Sequence, residues 1–141
     1  MKKTGNHQSG LLLISIAFLL MCCLPLEKLN AQDLNTQVTQ AISNSNAAGL
    51  SKYFNTSIDL TIPESEGTYS KVQAEQILKS FFTKYPPVSF SINHKGSSND
   101  GSMYAIGTYK SKTRAFRTYY LTKPINGQQL IHQLKFESRE E

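Results

Sequence analysis

The chain has 141 residues, a formal net charge of +5, two cysteines and no tryptophan. This length is enough for one domain whose apolar core needs no disulfide or metal to fold. The modest positive charge gives no reason to expect a nucleic-acid partner, because such proteins usually concentrate far more basic charge.

The first residues have the pattern of a cleavable signal peptide. Lys2 and Lys3 precede an apolar run, Leu11–Leu24, which is shorter than the roughly 20 residues that a membrane-spanning helix needs. Ala31 supplies the small residue expected before a cleavage site. We therefore predict a signal peptide over residues 1–31, one exported domain over residues 32–141, and no transmembrane span in the mature chain. A buried N-terminal helix is the alternative.

Both cysteines lie at the end of the apolar run. Cys22 or Cys23 is a candidate for lipid attachment, which would anchor a periplasmic or extracellular protein to the envelope. Cleavage after Ala31 would instead remove both cysteines. The mature chain would then have no disulfide, no thiol nucleophile and no thiolate metal site.

Two helices are predicted at the start of the exported domain. Asp33 is a suitable N-cap for the first helix. Apolar residues then recur with the period of an amphipathic helix at Leu34, Val38, Ala41 and Ile42. The polar stretch Ser43–Asn46 interrupts this pattern, and a shorter helix is predicted over residues 47–53.

A strand and a third helix follow. Ser57–Ile62 alternates apolar and polar residues, which is typical of a half-buried strand. Pro63 ends the strand, and Glu64–Gly67 is predicted to form a polar turn. Ser70 then begins the clearest helix of the chain, with Gln73 completing a capping box, and two consecutive prolines end it.

From residue 88 onwards the apolar period changes to two, which predicts four strands joined by hairpins. These strands are Val88–His94, Ser102–Tyr109, Thr113–Lys123 and Leu130–Phe136. Ser98–Gly101 is a predicted turn, because its Asp-Gly pair tolerates the positive φ of a tight hairpin. Two sets of residues are each expected to share a face: Val88, Phe90, Ile92 and His94, and Leu130, His132, Leu134 and Phe136. The strand over residues 113–123 carries aromatic residues on both faces, so the alternation of side chains does not show which of its faces points into the fold.

The order of these elements predicts an α+β fold. Helices come first in the chain and hairpin-linked strands come last, in the order α-α-β-α-β-β-β-β. We expect the N-terminal helices to pack on one face of a curved antiparallel sheet, which gives the domain a cone-like shape.

Five short stretches make the chain resemble a bacterial family known as domain of unknown function 4783. They are Tyr69–Lys71, Gly96–Ser102, Tyr104–Gly107, Phe116–Tyr119 and Ile131–Leu134. The element order is also similar to that of nuclear transport factor 2-like (cystatin-like) proteins. The resemblance covers about residues 33–137 and implies the cone-shaped fold. It assigns no functional residue, because this superfold includes isomerases, cyclases, dehydratases and pure binding proteins.

Strand parity gives four candidate pocket residues on the hollow side of the sheet: His94, Tyr104, Tyr120 and His132. A histidine in such a hollow could act as a general base near neutral pH. The alternative for His132 is a core histidine bonded to backbone or to a tyrosine. The alternative for His94 is a half-solvated position at a strand end.

A basic surface patch is predicted around one hairpin. Its members are Lys110, Lys112, Arg114 and Arg117, which are interleaved with aromatic residues. Basic and aromatic groups together can hold an anionic envelope component or an acidic partner. The alternative is a solvated sheet edge whose charges discourage aggregation.

These features predict a non-enzymatic module that binds a small ligand or an envelope protein. No complete catalytic set, cofactor motif or metal-ligand spacing is visible, so we predict no catalytic residue, no cofactor, no metal and no nucleic-acid partner. The alternative is a small isomerase, cyclase or hydratase that uses His132 as base and a tyrosine as oxyanion donor. A homodimer through the exposed sheet face is also expected, because excess aromatic residues there need cover.

Overall fold

A computed structural model of the protein describes residues 33–139. The predicted signal peptide, its cleavage site and both cysteines lie outside these residues. The described elements are α1 (Leu34–Ser43), α2 (Ala47–Ser51), β1 (Phe54–Ile62), β2 (Ser65–Ser70), α3 (Lys71–Lys84), β3 (Pro87–Ser97), β4 (Met103–Ser111), β5 (Ala115–Ile125) and β6 (Gln128–Ser138). No helix among residues 33–139 is long and apolar enough to cross a membrane.

The predicted α+β class is confirmed. Six strands form one curved, unclosed sheet in the order β2-β1-β6-β5-β4-β3. The pairs from β3 to β6 are antiparallel hairpins, as expected from the short connections. β1 pairs with β6 in parallel, a pairing absent from the predicted antiparallel sheet.

The stretch predicted as a polar turn is largely a strand, so that prediction is wrong. The turn occupies only Pro63 and Glu64, and β2 follows it. β2 pairs with β1 from Ile62 opposite Ser65 to Ser57 opposite Ser70. Tyr69 is the one large side chain of β2 and packs against the core, whereas the other residues of this edge strand are small or polar. Backbone pairing with β1 therefore holds most of the strand, and apolar periodicity gives no signal there.

The start of α3 follows the predicted capping box. The Ser70 hydroxyl accepts a hydrogen bond from the Gln73 backbone N–H at 3.3 Å, and the Gln73 side chain accepts one from the Ser70 N–H at 3.1 Å. These bonds satisfy two backbone donors that a helix start leaves without partners. α3 is thereby fixed at its first residue and lays Leu78, Phe81 and Phe82 into the core.

The core lies between the helices and one face of the sheet, which we call the core face. Its largest fully buried side chains come from all three helices and four of the strands: Ile42 of α1, Leu50 of α2, Phe54, Ile58 and Leu60 of β1, Leu78 and Phe81 of α3, Tyr109 of β4, Phe116 of β5, and Ile131, Leu134 and Phe136 of β6. Gly107 of β4 permits close packing of β3 there, because a Cβ at this position would lie 2.6 Å from the Ser91 carbonyl oxygen. We call the opposite face of the sheet the helix-free face, because the buried side chains of the described helices all belong to the core.

Candidate functional site

A cavity lies between the start of α1 and the ends of β3, β4 and β5. Its volume is about 310 Å³. The lining residues are Asp33, Leu34, Asn35, Lys95, Gly96, Ser97, Met103, Tyr104, Tyr120 and Thr122. We call it the α1–β3 cavity. This size is at the lower end of the range usual for small-molecule sites, about 300–1,000 Å³.

A chain of polar groups runs from the inside of the cavity to its rim. Tyr120 of β5 is 2% exposed, and its hydroxyl donates to Asn35 Oδ1 at 2.5 Å. The Asn35 amide nitrogen in turn lies 3.3 and 3.4 Å from the two carboxylate oxygens of Asp33. Burial, and to a lesser extent the Asp33 carboxylate, raise the pKa of the Tyr120 hydroxyl, so it stays protonated at neutral pH.

β3 supplies the other polar groups of the rim. Lys95 lies opposite Ala105 and Ser97 lies opposite Met103 in the β3–β4 pairing. Ala105 is a core-face residue, and residues directly opposite each other on paired strands share a face. Lys95 and Ser97 therefore share the face of β3 that borders the cavity.

Tyr104 and His94 meet each other on the helix-free face. The ring centroids of Tyr104 and Tyr119 lie 6.4 Å apart. Tyr119 directly precedes the core-face residue Tyr120, so its side chain points to the helix-free face. The Tyr104 hydroxyl lies 3.2 Å from Nε2 of His94. Tyr104 therefore forms part of the cavity wall while its ring points away from the cavity, and His94 does not line the cavity.

A β-bulge explains why the expected common face of β3 is wrong. Phe90 and Ile92 lie opposite Tyr109 and Gly107, but the register shifts before His94, which lies opposite Ile106. One extra residue in a strand reverses the alternation of side chains beyond it. The register of β3 and β4 also shifts between Pro87 and Ser89, and the side chain of Val88 there is 64% exposed.

A bulge on β6 separates Leu130 and His132 from Leu134 and Phe136, the other two members of their predicted set. On β6, Ile131 pairs with Thr122 and Gln133 pairs with Leu121, so His132 is the extra residue. The buried residues of β6 are Ile131, Leu134 and Phe136 instead of the expected alternation from Leu130. The bulge leaves His132 away from Tyr120.

His132 lines a separate recess of about 210 Å³. Its neighbours there are Ser57, Asp59, Leu121, Lys123 and Gln133. Nε2 of His132 is buried and has no hydrogen-bond partner among residues 33–139. Burial and the nearby Lys123 charge lower the pKa of His132 below 6.5, while Asp59 opposes the shift.

We expect His132 to make the folded protein less stable in mild acid. Because its folded-state pKa is lowered, the unfolded chain binds the proton first as the pH falls below 6.5. The free energy of unfolding should therefore decrease between pH 6.5 and the lower folded-state pKa. Urea unfolding from pH 7.5 to pH 5 measures this decrease, which should be small and should shrink in the His132→Gln variant. An equal decrease in wild type and variant would contradict the assignment to His132.

The basic patch is exposed around the β4–β5 hairpin. Lys110, Lys112, Arg114 and Arg117 are all solvent-exposed. The Arg114 guanidinium lies 5.9 Å from the centre of the Tyr85 ring, and Arg117 lies 3.5 Å from Glu137. Two of the four side chains thus have partners within the domain, and the patch lies apart from the residues that line the α1–β3 cavity.

Of the residues that line the cavity, only Tyr104 and Tyr120 were among the predicted pocket residues. Asp33 was identified only as a helix cap, and Asn35 and Lys95 were not singled out. The cap signal at Asp33 was the single available indication, since it marks where α1 begins. No cluster of three or more histidine, cysteine, aspartate or glutamate side chains that could hold a metal ion occurs in the described part of the chain.

The comparisons with known proteins agree with this fold. A family model, domain of unknown function (DUF4783), matches residues 35–137. The chain belongs to this family. No curated protein matches it.

Solved structures of two family members are similar over most of the domain. A DUF4783 protein from Bacteroides uniformis is 27% identical, with a TM-score of 0.72 over 77% of this chain and 100% of that one. A second, from Bacteroides ovatus, is 28% identical, with a TM-score of 0.69 over 74% of this chain and 94% of that one. An NTF2-like protein of unknown function from Cytophaga hutchinsonii is 12% identical, with a TM-score of 0.55 over 76% and 88% of the two chains. The DUF4783 domain described here therefore has the nuclear transport factor 2-like fold.

Proposed function

We propose that this protein is an exported, non-enzymatic domain that binds a small ligand in the α1–β3 cavity. The observation that carries the proposal is the convergence of polar groups on an otherwise apolar hollow. The Tyr120 hydroxyl, the Asn35 amide and the Asp33 carboxylate meet beside Leu34 and Met103. Apolar walls with a few converging polar groups are typical of sites that bind small molecules.

The alternative of an enzyme that uses His132 has less support. A general base needs an acid or phenol within hydrogen-bond reach to orient it. Nε2 of His132 has no such partner within residues 33–139, and Tyr120 is not among the residues that line its recess. The cavity with the phenol and the recess with the imidazole are separate, so we favour binding over catalysis.

Filling the cavity should abolish ligand binding. In the Ser97→Trp variant the indole would occupy the space beside Met103 and Thr122, because Ser97 lies on the strand wall of the cavity. Native mass spectrometry of protein purified from its own host should show a bound small molecule on the wild type. We expect this mass to be absent from the Ser97→Trp variant.

A matched control uses the same strand and the same substitution. Ser89 is also exposed on β3 but does not line the cavity. The Ser89→Trp variant should therefore retain the ligand. A wild type that never carries a ligand, or a Ser97→Trp variant that carries it unchanged, would refute the proposal.

We infer export from the N-terminal pattern, with the mature chain beginning at Gln32. The mature protein would act in the periplasm or outside the cell. Intact-mass measurement of protein recovered from the cell envelope and the medium should give the mass of residues 32–141. Lipid attachment at Cys22 or Cys23 would instead leave a longer chain with an added lipid mass. A full-length chain found only in the cytoplasm would contradict export.

The helix-free face supports a second candidate function, which is self-association. Tyr104 and Ile106 of β4 lie beside Leu121 and Tyr119 of β5, and all four side chains are only partly buried. Charges of both signs lie nearby, including the Arg117–Glu137 pair. A two-fold dimer brings a surface against its own copy, so a surface with an apolar centre and both charge signs suits it.

A further inference from the structure

Two charges of opposite sign lie on the rim of the α1–β3 cavity. Asp33 belongs to the start of α1, and Lys95 belongs to β3. Neither forms an ion pair with the other or with another side chain of residues 33–139. Both are exposed at the rim, so they remain available to a ligand.

The α1 side of the cavity presents hydrogen-bond acceptors. Among residues 33–139, the Asp33 carboxylate receives side-chain hydrogen bonds only from Asn35, at 3.3 and 3.4 Å. The Tyr120 hydroxyl donates its proton to Asn35, so towards a ligand the same oxygen can act only as a hydrogen-bond acceptor. A carboxylate with a neighbouring acceptor matches a ligand group that carries positive charge and several N–H donors, such as a primary ammonium.

The β3 side presents hydrogen-bond donors. Lys95 carries an ammonium group, and the Ser97 hydroxyl lies two residues further along the same face of the strand. An ammonium and a hydroxyl on the same face of one strand can both donate hydrogen bonds to the carboxylate of a ligand. Between the two sides the wall is apolar, formed by Leu34, Met103 and the Tyr120 ring.

We propose that the α1–β3 cavity binds a free α-amino acid with an apolar side chain. Asp33 would hold its ammonium group, Lys95 and Ser97 its carboxylate, and the apolar wall its side chain. The cavity volume of about 310 Å³ suits a compound of this size. This inference rests on the proposed ligand-binding function and names the class of ligand.

Three related compounds separate the contributions of the two charges. L-phenylalanine carries both groups, 2-phenylethylamine lacks the carboxylate, and 3-phenylpropanoate lacks the ammonium group. We expect isothermal titration calorimetry on the mature protein to show that L-phenylalanine binds at least about tenfold more tightly than either of the others, because a hydrogen-bonded charge is lost in each.

Two variants of the protein, each lacking one of the two charges, should show the same dependence of affinity on the ligand's charged groups. Asp33→Asn should weaken the binding of L-phenylalanine and 2-phenylethylamine by about tenfold or more and leave 3-phenylpropanoate unchanged. Lys95→Met should weaken L-phenylalanine and 3-phenylpropanoate and leave the amine unchanged. Lys79→Met, which changes an exposed lysine of α3 outside the cavity, is the matched control and should bind all three as the wild type does. Since these residues are exposed, urea unfolding should show that all variants fold normally.

The outcomes separate this inference from the proposed function. Equal affinities for the three compounds, no binding of L-phenylalanine, or unchanged binding in both charge variants would overturn the amino-acid assignment. The ligand-binding function would survive any of these results if the wild type still carried a small molecule that Ser97→Trp excludes. Absence of any bound molecule in that experiment, together with no binding of L-phenylalanine, would overturn both.

Discussion

Replacing Phe81 by alanine is expected to lower the free energy of unfolding by about 3–5 kcal/mol. Phe81 is 2% exposed and lies at the centre of the aromatic core. Its ring centroid is within 5.7 Å of five others, those of Phe82, Tyr85, Tyr109, Phe116 and Phe136. The alanine variant would lose contacts with α3, β4, β5 and β6 at once, so the cavity left behind could collapse only in part.

Urea unfolding followed by far-ultraviolet circular dichroism measures this loss. Val72 is on the same helix and is 70% exposed, so Val72→Ala is the matched control and should change stability by less than about 0.5 kcal/mol. A loss of this size at Phe81 is a large part of the roughly 5–15 kcal/mol that stabilises an ordinary domain. A Phe81→Ala variant within 1 kcal/mol of the wild type would contradict the described core.

Replacing Tyr119 by serine is expected to convert a dimer into monomers. Tyr119 lies opposite Ile106 and packs against Tyr104 at the centre of the helix-free face. Buried tyrosines at the centre of an interface contribute strongly to binding, so we expect the dimer dissociation constant to rise at least about tenfold. Multi-angle light scattering at a concentration just high enough to keep the wild type dimeric would report the change as a fall in mass towards that of the monomer.

Val88→Ser is the matched control for the interface. Val88 is an exposed apolar residue on β3, away from the centre of the helix-free face, and its replacement should leave the mass unchanged. A wild-type protein that is monomeric at high concentration would refute self-association through this face. A Tyr119→Ser variant that remains as dimeric as the wild type would do so as well.

Local patterns in the sequence were sufficient to predict the main elements of the fold. The capping box of Ser70 and Gln73 and the apolar stripe of α3 depend only on neighbouring residues. The turn at Ser98–Gly101 was also predictable, and Gly101 has the expected positive φ of 83°. β2 was missed because its pairing with β1 needs few apolar side chains, and the parallel β1–β6 pair was missed because it joins distant parts of the chain.

The candidate site was less predictable, because it depends on bulges and on tertiary contacts. A single extra residue before His94 and another at His132 changed the face assigned to each histidine. Gly107 lies opposite Ile92 beside the first bulge, and the second bulge has no glycine or proline among its paired residues. Tyr120 faces the cavity, as the predicted pocket required, yet its partner Asn35 is 85 residues away in the sequence. The contact between the start of α1 and β5 exists only in the folded chain.

Amide shift mapping tests most directly whether the α1–β3 cavity is the ligand-binding site. Nitrogen-15-labelled mature protein would be titrated with a mixture of small amphipathic compounds, and the shifts of each backbone amide would be followed. Binding in the cavity predicts shifts that cluster at Asp33–Asn35, Lys95–Ser97 and Met103. Shifts confined to the helix-free face around Tyr119, or no shifts with any compound, would contradict it.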